Sequence, residues 1–307
     1  MADEGRQLAI ASDAASQALR PDTRSGRRRL PLAWLATLPF FAYTVAFLFA
    51  PAASVLVGAF QDQDNKATFA NIRLLFHHPY IDAYRTSIEI SLVTALLGAT
   101  LGLLIAYAAI RDGTPKFVRA TLATFSGVAA NFGGIPLAFA FVATLGPLGI
   151  VTTWLRNAGW DPSEHGFQLY SKAGVELTYM YFQLPLMILV IAPAIDGLRK
   201  EWREAASNLG ATRLQFWRYV GIPVLMPSLL GAVILLFGNA FAAYATAYSL
   251  TSGTVNIVPI LIGAYYTGNV LDNPHIAQAL AFGMFVVLAV MMLLYLPLQR
   301  RAARWAK

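Results

Sequence analysis

Cysteine is absent from this 307-residue chain, which excludes disulfides, thiolate metal sites and cysteine nucleophiles. Charge is scarce: Asp, Glu, Lys and Arg make up 13% of the residues, against roughly 25% in a soluble domain. Histidine is rarer still, at four. His77 and His78 are adjacent, so on a helix their rings point apart, and no carboxylate cluster accompanies them; no metal site is expected. No Gly-x-x-x-x-Gly-Lys-Ser/Thr segment occurs, so the chain has no phosphate-cradling loop of its own. Nor does any His or paired-carboxylate constellation converge as an active site requires, and an enzyme is not expected.

What the chain has is apolar length. It is 57% hydrophobic, with a mean hydropathy of +0.55. A helix needs about 20 apolar residues to cross a bilayer, and a backbone in lipid must satisfy its own hydrogen bonds. The uncharged runs predict six such helices, near 31–60, 88–110, 119–145, 175–196, 223–249 and 277–299. The expected fold is therefore all-α: a polytopic membrane protein with six transmembrane helices.

Basic residues orient it. With both termini cytoplasmic, 18 of the 23 Lys and Arg lie inside, leaving Lys66, Arg73, Arg85, Arg156 and Lys172 outside. That asymmetry satisfies the positive-inside rule. The pI near 9.7 then reflects orientation against anionic lipid headgroups, and no nucleic acid partner is expected. The expected organisation is a disordered basic cytoplasmic tail at 1–29 and a first transmembrane helix with its outer loop at 30–83. Five more helices follow at 84–300, and a basic cytoplasmic tail closes the chain at 301–307. A short helix along the outer face, too broken by Pro259, Gly263 and Gly268 to span, is expected between Asn256 and Asp272.

Inside the membrane, Gly98 and Gly102 form a small-xxx-small spacing that lets helices approach closely. It suits either a seam with a partner subunit or packing within the chain. Gly133-Gly134-Ile135-Pro136 should kink the third helix or break it beside a cavity. Asn131, Tyr181, Gln183, Asn239, Tyr244 and Tyr248 are the polar side chains available to line a translocation pathway. Glu89, Glu176 and Asp196 all fall near the ends of spans. The midplane therefore lacks the carboxylate that a proton- or sodium-coupled carrier usually needs.

The loop at about 197–222 has a definite grammar. Helix formers run from Leu198 to Leu209, Gly210 supplies a stop, and Thr212 can cap a second short helix through Tyr219. Pro223 should then open the fifth span. Two short helices joined at a glycine make an elbow that Ala205 and Ala206 keep thin. Glu204 can pair with a basic residue of a partner, or with Arg203 or Arg213 of the loop itself. A helix lying on the bilayer surface satisfies the same spacing.

Glu204-Ala205-Ala206, then Gly210, then Val220-Gly221-Ile222-Pro223, resembles the EAA loop of binding-protein-dependent ABC importer permeases. Val220 and Ile222 stand where that pattern usually has Ile and Leu. The resemblance extends from about Tyr84 to Pro297. It implies a non-catalytic permease subunit in a bacterial inner membrane, forming half of the translocation pathway for a small hydrophilic solute. Glu204, Ala205, Ala206, Gly210, Arg213 and Pro223 would couple it to an ATPase. The implied partners are two ABC ATPase subunits, a second permease subunit (a paralogue), an extracytoplasmic solute-binding protein and membrane lipids. No cofactor would be bound by this chain, ATP and Mg belonging to the partner ATPase. Ala106-Tyr107-Ala108 and the 134–141 stretch look similar to the polyamine, phosphonate, iron and thiamine branch, which implies a polyamine or 2-aminoethylphosphonate-like solute. The competing expectation is a secondary carrier with no ATPase partner.

Overall fold

A computed structural model describes residues 33–110, 114–267 and 273–304. The expected tail at 1–29 lies outside those residues, as do Arg111, Gly268 and Asp272. Residues up to Ala53 and residues from Ser54 form two compact units, each taken by itself.

The elements in chain order are α1 (Ala33–Thr44), a π-helical turn (Val45–Phe49), α2 (Ala50–Gly58), α3 (Ala70–Leu74), α4 (Tyr80–Ile110), α5 (Lys116–Asn131) and α6 (Gly134–Leu145). There follow α7 (Ile150–Asn157), α8 (Lys172–Asp196), α9 (Lys200–Asn208), α10 (Arg213–Phe216) and a second π turn (Trp217–Gly221). The last are α11 (Ile222–Phe241), α12 (Ala245–Thr251), α13 (Val258–Thr267) and α14 (Pro274–Arg304). Among the described residues there is no strand, only one bridge between Gln61 and Ala67. Among the described residues six segments are long and apolar enough to cross a membrane: Thr37–Gly58, Tyr80–Ile110, Gly134–Asn157, Lys172–Asp196, Arg213–Phe241 and His275–Arg301. The all-α, six-span expectation holds. The short helix expected between Asn256 and Asp272 is α13.

The core is a close approach of α4, α8 and α11, made possible by small residues on α4. Ala95, Gly98, Ala99, Gly102 and Ala106 are all buried. A Cβ on Gly98 would come 3.1 Å from the Gln183 Cβ, and one on Gly102 would come 2.6 Å from the Met187 Cβ. These contacts advance together along both helices, so α4 and α8 run parallel. Leu236 reaches Gly98 while Trp217 meets Tyr107, with ring centroids 4.7 Å apart, so α11 runs against them. The seam offered to a partner subunit by Gly98 and Gly102 is thus filled by this chain's own α8. The partner-seam reading gives way to the other of the two, packing within the chain: without a hydrophobic drive between helices in lipid, close van der Waals packing holds them, and here it is internal.

Polar groups fasten the surrounding helices. The Tyr84 hydroxyl donates to the Leu280 carbonyl and ties α4 to α14. Ser87 Oγ accepts the Val258 N–H at 2.9 Å and anchors the start of α13. Outward faces remain apolar, with Leu293, Leu294 and Phe285 exposed on α14. A helix that meets hydrocarbon has no reason to present polar groups.

Three span boundaries differ from expectation. The second helix starts at Tyr80 instead of near 88, with Asp82 in its first turn, where a carboxylate suits the helix dipole. The third span, expected at 119–145, is interrupted. α5 has 16 residues, about 24 Å at 1.5 Å each, and ends at Asn131. Gly134, at φ +69°, starts a new helix, and the segment with the length to span is Gly134–Asn157. The fifth span, expected at 223–249, is helical already from Arg213 and ends at Phe241. Pro223 cannot donate to the Tyr219 carbonyl. Just before it the Ile222 N–H bonds to Trp217 O, and this wider turn carries the helix through the proline. At the other end the Tyr179 hydroxyl of α8 donates to the Ala243 carbonyl at 2.7 Å, satisfying a backbone group where the helix stops.

Candidate functional site

Two places carry the residues of interest. The first is the elbow made by α9 and α10. Here α9 ends in a paired motif: the Gly210 N–H donates to Ser207 O and the Ala211 N–H to Ala206 O, each at 2.9 Å. Gly210 sits at φ +77°, in the left-handed region where glycine escapes the Cβ penalty. Thr212 then caps the next helix. Its Oγ1 accepts the Gln215 N–H at 3.3 Å, while its own N–H donates to Gln215 Oε1 at 2.7 Å. The sequence expectation for Gly210 and Thr212 matches this geometry. The second half of the elbow is no separate helix, because it runs through the π turn into the fifth span.

The elbow stands proud of the bundle. Glu204 and Ala205 are exposed, and Leu209 and Leu214 at its tip are 88% and 78% exposed. The Arg203 guanidinium lies 5.9 Å from the centre of the Phe216 ring and braces the two arms. Of the two pairings considered for Glu204, the one inside the loop is not formed: no ion pair involves it among the described residues. Val220 and Pro223 are partly buried and belong to the helix root, so the accessible face is Glu204, Ala205 and Arg213.

The second place is where two helix breaks meet. The interruption between α5 and α6 at Phe132–Gly133 lies against the interruption between α11 and α12 at Ala242–Tyr244. Between them is a cavity of about 310 Å3 whose lining includes Asn131, Gly134, Phe182, Asn239, Tyr244 and Thr246. The Gly134 N–H donates to Thr246 Oγ1 at 2.7 Å, pinning the start of α6 to α12. Irregular backbone at membrane depth is tolerated where it lines such a space. None of the lining residues carries a charge.

The expected pathway residues divide. Asn131, Asn239 and Tyr244 are brought together on this cavity. Tyr248 stands one ring behind, stacked on Tyr244 with centroids 5.4 Å apart. Tyr181 packs edge-on between Phe132 and Phe141, at 6.0 and 6.1 Å, and forms part of the supporting wall. Gln183 is fully buried, donating from Nε2 to Leu236 O at 2.9 Å. It fastens α8 to α11 and is not among the residues that line this cavity, unlike Asn131, Asn239 and Tyr244. Thr246 and Tyr179 went unnoticed in the sequence. Nothing local marks them, because their partners lie 112 and 64 residues away.

An ion pair between Arg119 and Asp196 closes one end of the α5–α8 contact, and one between Lys172 and Glu89 closes the opposite end of α4 and α8. Two of the three near-terminal carboxylates, Glu89 and Asp196, are therefore paired with basic groups.

Six membrane-length helices, a cavity between two helix breaks and an exposed elbow between the fourth and fifth spans are the features of a transport permease. Residues 122–304 match the family of binding-protein-dependent transport system inner membrane components, and the chain belongs to that family. It is the permease component of an ABC importer, a multi-pass inner-membrane protein and the non-catalytic membrane part of its system. The secondary-carrier alternative is set aside by that membership.

Among similar proteins is the probable sulfate transport system permease protein cysT of Nephroselmis olivacea, 25% identical over 76% of this chain and 78% of that one. The inner membrane ABC transporter permease protein YdcU of Escherichia coli (strain K12) is 26% identical over 76% and 75%. In fold, the chain is similar to a bacterial ABC transporter involved in the import of the acidic polysaccharide alginate. That match has a TM-score of 0.69 at 20% identity, covering 88% of this chain and 95% of the other.

Proposed function

We propose that this chain forms half of a translocation pathway and is driven through its α9–α10 elbow by a separate ATPase subunit that binds ATP and Mg. The carrying observation is the elbow itself: a glycine-hinged, capped pair of helical arms with exposed apolar tips at Leu209 and Leu214. Two leucines presented on a protruding elbow give a partner protein apolar surface to bury. Glu204, Ala205, Ala206, Gly210 and Arg213 form that contact, and Pro223 with its π turn joins it rigidly to the fifth span. The basic asymmetry of the sequence puts the elbow in the cytoplasm. A second permease subunit completes the pathway, two ATPases engage the two elbows, and an extracytoplasmic binding protein delivers the solute.

Asn131, Asn239 and Tyr244 meet the solute at the helix breaks. The solute first expected, a polyamine or 2-aminoethylphosphonate-like compound, finds no support among the relatives, several of which are named for sulfate. The cavity agrees with the relatives. Its lining offers two amides and a phenol, and no carboxylate to balance a polycation. A small hydrophilic oxyanion is the better match.

The decisive experiment is uptake and ATP hydrolysis by the assembled transporter carrying Glu204→Lys or Gly210→Val. Hydrolysis should persist while uptake falls, with membrane insertion intact. Full uptake by both variants would remove the coupling role. Copurification of an ATPase subunit in mild detergent tests the partnership independently.

A further inference from the structure

Gly263 reads in the sequence as a helix interruption, yet α13 runs straight through it. Its backbone is not left-handed, so no conformation there requires glycine, and glycine inside a helix weakens it. The reason for it is steric. A Cβ on Gly263 would lie 2.8 Å from Tyr244 Cε2 and 3.0 Å from both Cζ and the phenol oxygen. Carbon atoms in contact settle at about 3.5–4.0 Å, so the Tyr244 ring fills the space a side chain would take. The helix that carries Gly263 is firmly mounted on α4 and the residue before it. Ser87 Oγ accepts the Val258 N–H at 2.9 Å, Asn256 Nδ2 donates to the Pro79 carbonyl at 3.3 Å, and the Tyr265 hydroxyl meets that of Tyr80. Tyr248, stacked on the Tyr244 ring with centroids 5.4 Å apart, closes a second direction. What remains open is the cavity of about 310 Å3 that Tyr244 lines with Asn131 and Asn239. Gly263 is not itself in that lining.

We propose that Gly263 is a positioning residue that sets the width of this cavity and so the largest anion it admits. By leaving Tyr244 room against α13, it keeps the phenol from closing over the two amides. It acts through Tyr244 and touches no solute. Each atom added at 263 moves the ring toward the cavity, because α13 and Tyr248 bar the alternatives and a packed interior transmits the strain. The proposal deepens the functional reading above and rests on its placement of the solute beside Tyr244.

The chain's lack of cysteine supplies the assay. Asn239→Cys puts a thiol on the cavity of the assembled transporter, and its modification is followed by the mass of this chain. Two anionic reagents of different size are compared, sulfonatoethyl methanethiosulfonate and a bulkier stilbene disulfonate maleimide. Gly263→Ala should slow the larger reagent about tenfold and the smaller about threefold, within the range over which contacting residues couple. Gly263→Val should slow both further. With Tyr244→Ala also present, neither substitution should change either rate, because the ring that carries the effect is gone. Alanine favours a helix over glycine, so the milder variant keeps α13 intact and is decisive even where the valine variant fails to assemble. A merely structural role would loosen the cavity and speed both reagents, with or without Tyr244. Unchanged or faster modification in Gly263→Ala, or slowing that persists without the Tyr244 ring, would overturn the proposal. Modification needs neither solute nor ATP. Failure here therefore leaves the solute reading to uptake measurements, and absence of oxyanion uptake leaves this result readable.

Discussion

Gly134 donates its backbone N–H to Thr246 Oγ1 at 2.7 Å, so one broken helix is pinned to another 112 residues along the chain. Thr246 is buried. Thr246→Val keeps the shape but orphans the N–H, which costs about 1–3 kcal/mol. Uptake should fall along with thermal stability in detergent, and Thr246→Ser should restore both. A native melting temperature for the valine variant would show the bond to be dispensable.

Gly210 should tolerate substitution in the order Asn, Ala, Val. No atom lies within 4 Å of a Cβ built there, so the penalty is conformational. The left-handed backbone costs an L-residue about 1–2 kcal/mol, least for asparagine and most for a β-branched side chain. The ratio of solute transported to ATP hydrolysed should decline in the same order. An unordered series would mean that the elbow's backbone geometry does not control coupling.

Gly102→Ala should destabilise more than Gly98→Ala. The new Cβ would lie 2.6 Å from the Met187 Cβ in the first case and 3.1 Å from the Gln183 Cβ in the second. Overpacking of this kind costs about 1–3 kcal/mol. Thermal unfolding of the two variants decides the order, and the reverse ranking would contradict the α4–α8 packing.

Gln183→Leu should leave solute handling alone. The side chain gives one hydrogen bond to Leu236 O, while its Oε1 is buried without a partner. Loss of the bond and relief of that unsatisfied oxygen largely offset, leaving a net change within about 1 kcal/mol. Asn239→Ala, on the cavity, should instead raise the solute concentration for half-maximal uptake. If the two variants behave alike, the division between seam and cavity fails.

The loop between α7 and α8 should respond to acid. The Asp161 carboxyl is held down to about 2 from its usual 3.8, first by the Ser163 hydroxyl and backbone N–H, then by Arg156. A depressed native value means that the stabilisation is complete above 3.8 and is lost as pH falls toward 2. Amide exchange at Ser163 should therefore quicken relative to unstructured peptide across that window, and Asp161→Asn should remove the pH dependence.

Much of the site was legible. The elbow from Glu204 to Gln215 follows local rules, a glycine stop and a threonine cap, that depend on neighbours within six residues. The break at Gly133–Gly134 is local too. The end of the fifth span was not legible, because the Tyr179 hydroxyl that meets the Ala243 carbonyl comes from another helix. Gln183 and Asn131 look alike in sequence as lone amides in apolar runs. Only packing separates the one in a seam from the one on a cavity.

By itself the sequence determined the number of spans, their apolar faces and the hinge of the elbow, because hydrocarbon demands long self-satisfied helices and glycine alone takes φ +77° without cost. The tertiary structure decided which surfaces face what. It filled the Gly98–Gly102 seam with α8, set two helix breaks against each other, and sorted the polar side chains between fastening and cavity. These outcomes depend on contacts between residues tens to hundreds of positions apart, and the period of a single helix carries no record of them.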